Sequence, residues 1–528
     1  MELIPTHASY QPGHPVVVEL SAPAGDEAVI TISHLFTTID SVALAPGQCH
    51  AELPVLPSGG YSVAYRNGDD AAETAVEIFG DVWRPRYGFV TRFDEAATVG
   101  GVVRWFRRLH LNAAQFYDWG YRHSELTPPS EIYRDPLGQP RDLGVVREMA
   151  RCLSDAGVRP LGYSAVYAIA NAEADAWQPA VLHRADRQPY RLGDDFLTLI
   201  DPAAPAWLQH YPAMLDRAMA ATGLAGFHLD QYGWPKMARR GDGALVDVAA
   251  SFRCLLQAVH DALPSAHLIF NNVNGFAAVE LASAAQDATY IEVWPPHDSL
   301  ADLGSLVKWG QALNPGRPVI LAAYLSCFER ETDARANAAA RLVMATIFSH
   351  GGSQLLLGDD GRALVDPYYP HNFDATPHEG MFVQWYDFMV AWGDLLFAPE
   401  QQDVTEFMTD GINGDVSFDA PGVTFTSHAK PGEVWTRVIR VAGGWVIHLI
   451  NLVAQSDIFW DAGKEPTKPV SHLRLHWQGV DEGGTVNWVS PGEPSCPGIA
   501  ASGLDDHGAT LFELPPLHEW ALIFVPLG

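Results

Sequence analysis

The chain has 528 residues, of which 48% are apolar and 18% charged, a composition that can fill large cores and excludes the disordered and collagen-like classes. Lys and Arg number 33 against 63 Asp and Glu, a formal net charge of −30. That balance repels a phosphate backbone or an anionic membrane surface and is indifferent to a neutral substrate, so neither nucleic acid nor membrane is expected as a partner.

No stretch reaches the roughly 18 uncharged apolar residues of a membrane span. The first residues, Met1 to His7, lack a basic segment followed by an apolar run, so a cytoplasmic location is expected, or an extracellular one if a signal has been removed. Cys49, Cys152, Cys254, Cys327 and Cys496 are scattered, without a Cys-x-x-Cys pair, and are expected to be reduced thiols rather than a disulfide frame or zinc ribbon.

Residues 1–82 alternate in short stretches broken by Pro-Gly, Gly-Asp and Asn-Gly turns, which predicts a β-sandwich. From Tyr87 the rhythm becomes strand then helix. Strands are predicted over 87–93, 113–119, 159–167, 226–232, 267–273, 289–294, 318–325 and 354–358. The clearest helical patterns cover 143–156, 207–221, 246–263, 302–313, 333–349 and, after the last strand, 381–396. Eight such repeats over 83–402 predict a (β/α)8 TIM barrel. A doubly wound sheet is disfavoured because no Gly-x-Gly-x-x-Gly follows the first strand. Residues 403–528 return to strand patterns at 422–427, 435–441, 444–452, 472–477 and 520–525, a second β-sandwich. The fold class is therefore α/β, a barrel between two sandwiches.

Barrel enzymes work at the C-terminal ends of their strands. There, Gly226-Phe227-His228-Leu229-Asp230-Gln231-Tyr232-Gly233 closes on an Asp, and Tyr290-Ile291-Glu292-Val293-Trp294 holds a Glu between Ile and Val. A strand-end Asp also suits an N-cap or turn. A Glu inside an apolar strand is costly unless paired or functional. One ionised and one protonated carboxyl are what glycoside hydrolysis requires. The second strand ends in Phe116-Tyr117-Asp118-Trp119-Gly120-Tyr121-Arg122-His123, a mixture of aromatic faces and polar groups that suits a sugar. Asp118, Trp119, Tyr121, His123, Tyr163, Gln231, Asn272, Trp294 and Tyr324 are expected to contact substrate, with Asp230 and Glu292 catalytic.

No His-Glu-x-x-His and no cysteine pair at ligand spacing occurs, so no metal and no cofactor is expected. Gly358-Asp359-Asp360-Gly361 suits a calcium loop or an ordinary turn equally well.

With Asn271-Asn272-Val273-Asn274-Gly275 added, these motifs resemble glycoside hydrolase family 66, the dextranases and cycloisomaltooligosaccharide glucanotransferases. The resemblance implies an N-terminal immunoglobulin-like sandwich, a catalytic barrel and a C-terminal Greek-key sandwich. It also implies a retaining mechanism on α-1,6-linked glucans, with Asp230 as nucleophile and Glu292 as acid/base, and Asp118, Trp119, Tyr163, Asn272 and Trp294 around the reacting sugar. Two departures stand out. No segment between Tyr87 and Phe397 is long enough for the carbohydrate-binding module that the family's glucanotransferases carry, and Tyr232 replaces the Leu that usually follows the Asp-Gln pair. The expected activity is hydrolysis of dextran-derived or cyclic isomaltooligosaccharides. Transfer to a sugar hydroxyl at the same site, or glucan binding without turnover, are the alternatives.

Overall fold

A computed structural model describes residues 1–193, 195–481 and 483–527. Its central feature is a curled sheet of parallel strands taken in chain order: β1 (Tyr87–Val90), β2 (Ala113–Phe116), β3 (Arg159–Ala165), β4 (Gly226–Asp230), β5 (His267–Asn271), β6 (Ala288–Glu292) and β7 (Val319–Ala322). β8 (Gly352–Gln354) pairs with β7, and two residues later the segment resumes as β9 (Leu357–Gly358), which pairs with β1 through Gly358 and Phe89. The order of strands thus returns to its start.

Both faces of this sheet are covered, which is why the strands read as nearly continuous apolar runs. Alternate residues divide between two cores. Tyr87, Phe89, Leu161, Ile269, Tyr290 and Ile320 pack together inside the curl, whereas Val90, Phe116, Phe227, Leu229, Phe270, Ile291 and Leu321 face the surrounding helices. The period of two is the strand's own geometry.

The longer helices are α1 (Val99–Arg108), α2 (Leu143–Asp155), α3 (Pro205–Thr222), α4 (Val248–Ala262), α5 (Leu300–Leu313), α6 (Asp333–Ser349) and α7 (Glu379–Ala391). Their starts are written locally. Asp142 accepts from Gly144 N, Asp247 from Ala249 N and Ala250 N, and Ser299 forms a capping box with Asp302, each satisfying amides that the first helical turn leaves free. One expected repeat is absent: between β5 and β6 the chain makes a 3-10 turn, Val273–Gly275, and further turns but no α-helix. Asn274 and Gly275 are left-handed there, with φ of 51° and 80°, a conformation that ends helical propagation.

At the N-terminal end, a three-stranded and a four-stranded antiparallel sheet enclose Leu3, Val18, Ile30, Ile32, Val63 and Tyr65. The second sheet rests on α7. Asp387 of α7 accepts from Thr74, from Ala75 N and from the buried ring of His110. Gly60 lies so close that a Cβ there would come within 2.1 Å of Val390 O. Near the C-terminus, a larger sheet built around Val434–Val441, Gly444–Asn451 and Trp520–Pro526 and a four-stranded sheet enclose Val438, Ile447, Leu475, Trp477 and Phe512. Among the described residues no helix is long and apolar enough to cross a membrane.

Candidate active site

Asp230, Asn271 and Glu292 are the last residues of β4, β5 and β6, three neighbouring strands. Each stands two residues beyond a side chain that packs inside the curl or beneath its mouth, namely His228, Ile269 and Tyr290, so each points into the same opening. The Asn271 amide holds the carboxylates together: Nδ2 donates to Asp230 Oδ1 at 2.7 Å and to Glu292 Oε2 at 2.9 Å. Tyr163 OH donates to Asp230 Oδ2 at 2.8 Å, and Tyr324 OH to Glu292 Oε1 at 3.2 Å.

Burial acts on both acids. It raises Asp230 to about 6, against the lowering effect of Asn271, Tyr163 and a backbone amide. Glu292 is raised further, to about 7, by burial and then by the charge of Asp230. The floor is aromatic and uncharged. His228 accepts no proton near neutrality, burial holding it down to about 3, and its ring nitrogen meets Tyr87 OH at 3.1 Å.

Other expected residues divide into two groups. Asp118 lies at the mouth beside Tyr163 in a left-handed conformation (φ 49°), its carboxyl raised to about 7 by burial and by Asp135, partly offset by Arg141. His123 lines the same small cavity and packs edge-on to Phe196. Trp294 is 41% exposed, two residues beyond Glu292. By contrast, Trp119 is fully buried in the layer between strands and helices, against Gly162. Tyr121 packs against Tyr133 with Arg122 over its ring. Gln231 braces the loop by bonding Asn271 O and Gly233 N.

Asn272 is corrected. It is completely buried and its amide donates to Phe270 O and Tyr290 O, away from the carboxylates, because a one-residue step along a strand reverses the side chain. Its neighbour Asn271 is the amide that reaches both carboxylates, and the alternation of β5 was the available signal. Two further tyrosines stand at the site, one from the second strand's motif and one not singled out from the sequence. Tyr117 stacks on Tyr369 at 4.2 Å and lies edge-on to Tyr163. Tyr369 comes from a loop beyond β9, donates to Gln115 and had no local signal.

Among the described residues no group of three His, Cys, Asp or Glu is arranged to hold a metal ion. The Asp359-Asp360 pair is engaged as a turn: both Asp359 oxygens accept from Thr91, and Asp360 accepts from Thr98.

A pair of carboxyls on the ends of two strands that flank a third, ringed by tyrosines and a tryptophan, is the equipment of a glycoside hydrolase. The chain belongs to glycosyl hydrolase family 66, whose model matches residues 6–524. It is 23% identical over 394 residues to a cycloisomaltooligosaccharide glucanotransferase of Niallia circulans, covering 65% of this chain and 40% of that protein. To a dextranase of Streptococcus salivarius it is 23% identical over 439 residues, covering 70% and 52%. The chain thus spans about half the length of the curated relatives it matches. Its fold is similar to the crystal structure of a cycloisomaltooligosaccharide glucanotransferase from Paenibacillus sp. complexed with cycloisomaltoheptaose, with a TM-score of 0.88, 19% identity and 99% of each chain covered.

Proposed function

We propose that this protein is a retaining glycoside hydrolase that cleaves α-1,6-glucosidic linkages in dextran-derived, linear or cyclic isomaltooligosaccharides. Residues 83–402 are read as its (β/α)8 barrel, 1–82 as an immunoglobulin-like sandwich and 403–528 as a Greek-key sandwich. The family and the names of its relatives support this choice of linkage. The observation that carries the chemistry is the shared Asn271 amide. Two oxygens bonded to one nitrogen at 2.7 and 2.9 Å are at most about 5.6 Å apart. Retaining enzymes keep their carboxyls about 5–5.5 Å apart, and inverting enzymes need roughly 6.5–9.5 Å to admit a water.

In the first step Glu292 gives its proton to the glycosidic oxygen while Asp230 attacks the anomeric carbon. The carbon–oxygen bond breaks, the leaving sugar departs as an alcohol and a glycosyl ester of Asp230 remains. Water then attacks the same carbon, Glu292 takes its proton, and Asp230 leaves as a carboxylate. The higher position of Glu292 suits it to hold the proton, and the two hydrogen bonds on Asp230 favour its ionised form. Asp118, Tyr163, Tyr324 and Trp294 would contact the sugars.

Mass spectrometry and thin-layer chromatography of products from dextran, linear and cyclic isomaltooligosaccharides test this reading. Linear products are expected, and full product formation by Asp230→Ala would refute the catalytic assignment. Glucanotransfer at the same site is the second reading, favoured by the exposed Trp294 beside Glu292, an apolar face able to hold a sugar acceptor and displace water. Its mark in the cyclising form, in which the chain's own hydroxyl takes the glycosyl group, is a product series one water lighter than the linear one; transfer to an added sugar would instead give linear products longer than the substrate.

A further inference from the structure

The rim beyond Glu292 is built by two distant parts of the chain. Asn274, left-handed at φ 51°, holds the segment after β6 by donating to Pro295 O at 3.0 Å and accepting from Trp294 N at 3.3 Å. The chain then doubles back, His297 N donating to Trp294 O at 3.1 Å. From there it is held by residues 458–460, which belong to the C-terminal β-structure. Ser299 forms an antiparallel bridge with Phe459. Leu300 N donates to Ile458 O at 2.8 Å, Trp460 N to Asp298 O at 3.0 Å and Trp460 Nε1 to His297 O at 2.7 Å.

That distant loop is rigid for a definable reason. The buried ammonium of Lys464 donates to Asp457 Oδ1 at 2.8 Å, Phe459 O at 2.5 Å and Ala462 O at 3.3 Å, so its three hydrogens are all engaged and its burial is tolerable. Phe459 N is itself held by Asp457 at 3.0 Å. Asp461 fastens the loop to the rim after β7, accepting from Ser326, from Cys327 N at 3.2 Å and from Arg330 at 2.9 Å. On this braced loop the Phe459 ring is 56% exposed, and Trp294 on the loop it grips is 41% exposed. Two pre-ordered aromatic faces on one stretch of rim are a poor way to meet water and a good way to meet the C–H faces of sugars.

Building on the glucan-acting reading above, we propose that Phe459 is a specificity-determining residue. It stacks a glucosyl unit bound beyond Trp294, on the leaving-group side of Glu292, so that the C-terminal β-structure sets the preferred chain length.

The test compares kcat/KM on isomaltotriose through isomaltooctaose for the wild-type chain, Phe459→Ala, Phe459→Tyr and Phe407→Ala. Phe407 is 72% exposed in the short helix Thr405–Thr409 and serves as the aromatic control. Phe459→Ala is expected to lose about tenfold on the longest substrate, through KM, and about twofold or less on the shortest. Phe459→Tyr should restore the length dependence and Phe407→Ala should not disturb it. An equal loss at every length, or none, would overturn the inference while wild-type turnover left the glucan reading standing. Absence of wild-type turnover on the whole series would overturn both.

Discussion

The Tyr163 hydroxyl donates to Asp230 Oδ2 at 2.8 Å, the oxygen that the Asn271 amide leaves free. It is one of the groups that hold Asp230 down against the upward push of burial. Tyr163→Phe is therefore expected to lower kcat/KM by roughly tenfold to a hundredfold and to move the acidic limb of the pH profile upward, since an ionised Asp230 becomes harder to form. A pH–rate series on the two proteins checks both; an unmoved limb would remove Tyr163 from this role.

The two carboxyls predict a narrow bell. The proposed mechanism needs Asp230 ionised and Glu292 protonated, and burial raises them to about 6 and about 7. The kcat/KM profile should rise near pH 6 and fall near pH 7 as a property of the coupled pair. Glu292→Gln should abolish the falling limb.

Both acids sit above their ordinary values of 3.8 and 4.5, so the folded state holds their protons more firmly than the unfolded chain does. Their favourable contribution is complete below about pH 4 and is lost as pH rises through about 7. Asp230→Asn combined with Glu292→Gln should consequently be more stable than wild type by about 1–3 kcal/mol at pH 8 and lose that advantage at pH 4. Denaturant titrations at the two pH values measure it.

Asn271 and Asn272 are adjacent yet should fail differently. Asn271→Ala removes the donor shared by both carboxylates and is expected to cost about a hundredfold in kcat/KM with little loss of stability. Asn272→Ala strips hydrogen bonds from Phe270 O and Tyr290 O and should cost about 1–3 kcal/mol of stability, with turnover of the folded protein kept within about twofold. Thermal melts beside initial rates separate the two.

At the contact between α7 and the N-terminal sheet, Asp387→Ala would leave Thr74, Ala75 N and the buried His110 ring without their acceptor. A loss of about 2–4 kcal/mol is expected. An unchanged denaturation midpoint would contradict it.

Much of the framework was legible because it is written locally. Asp333–Ser349 announces itself by its apolar pattern, and Leu300–Leu313 also by the Ser299–Asp302 capping box. The missing helix between β5 and β6 was not legible, since the span is of ordinary length and only the backbone at Asn274 and Gly275 shows why it turns instead.

What the sequence by itself determined is the identity of the strand ends and the carboxyls they bear. An Asp and a Glu closing apolar runs are conspicuous in one dimension, because burying them carries a cost that no neighbour in sequence offsets. What only the tertiary structure decided is which side chains meet. Asn271 rather than Asn272 reaches Asp230 and Glu292, Trp119 is shut behind the sheet, Tyr369 arrives from a loop beyond β9, and Phe459 is brought to the rim by a loop between two C-terminal strands. Those outcomes depend on the facing of alternate residues once neighbouring strands are in register and on contacts between segments far apart in the chain, neither of which local pattern specifies.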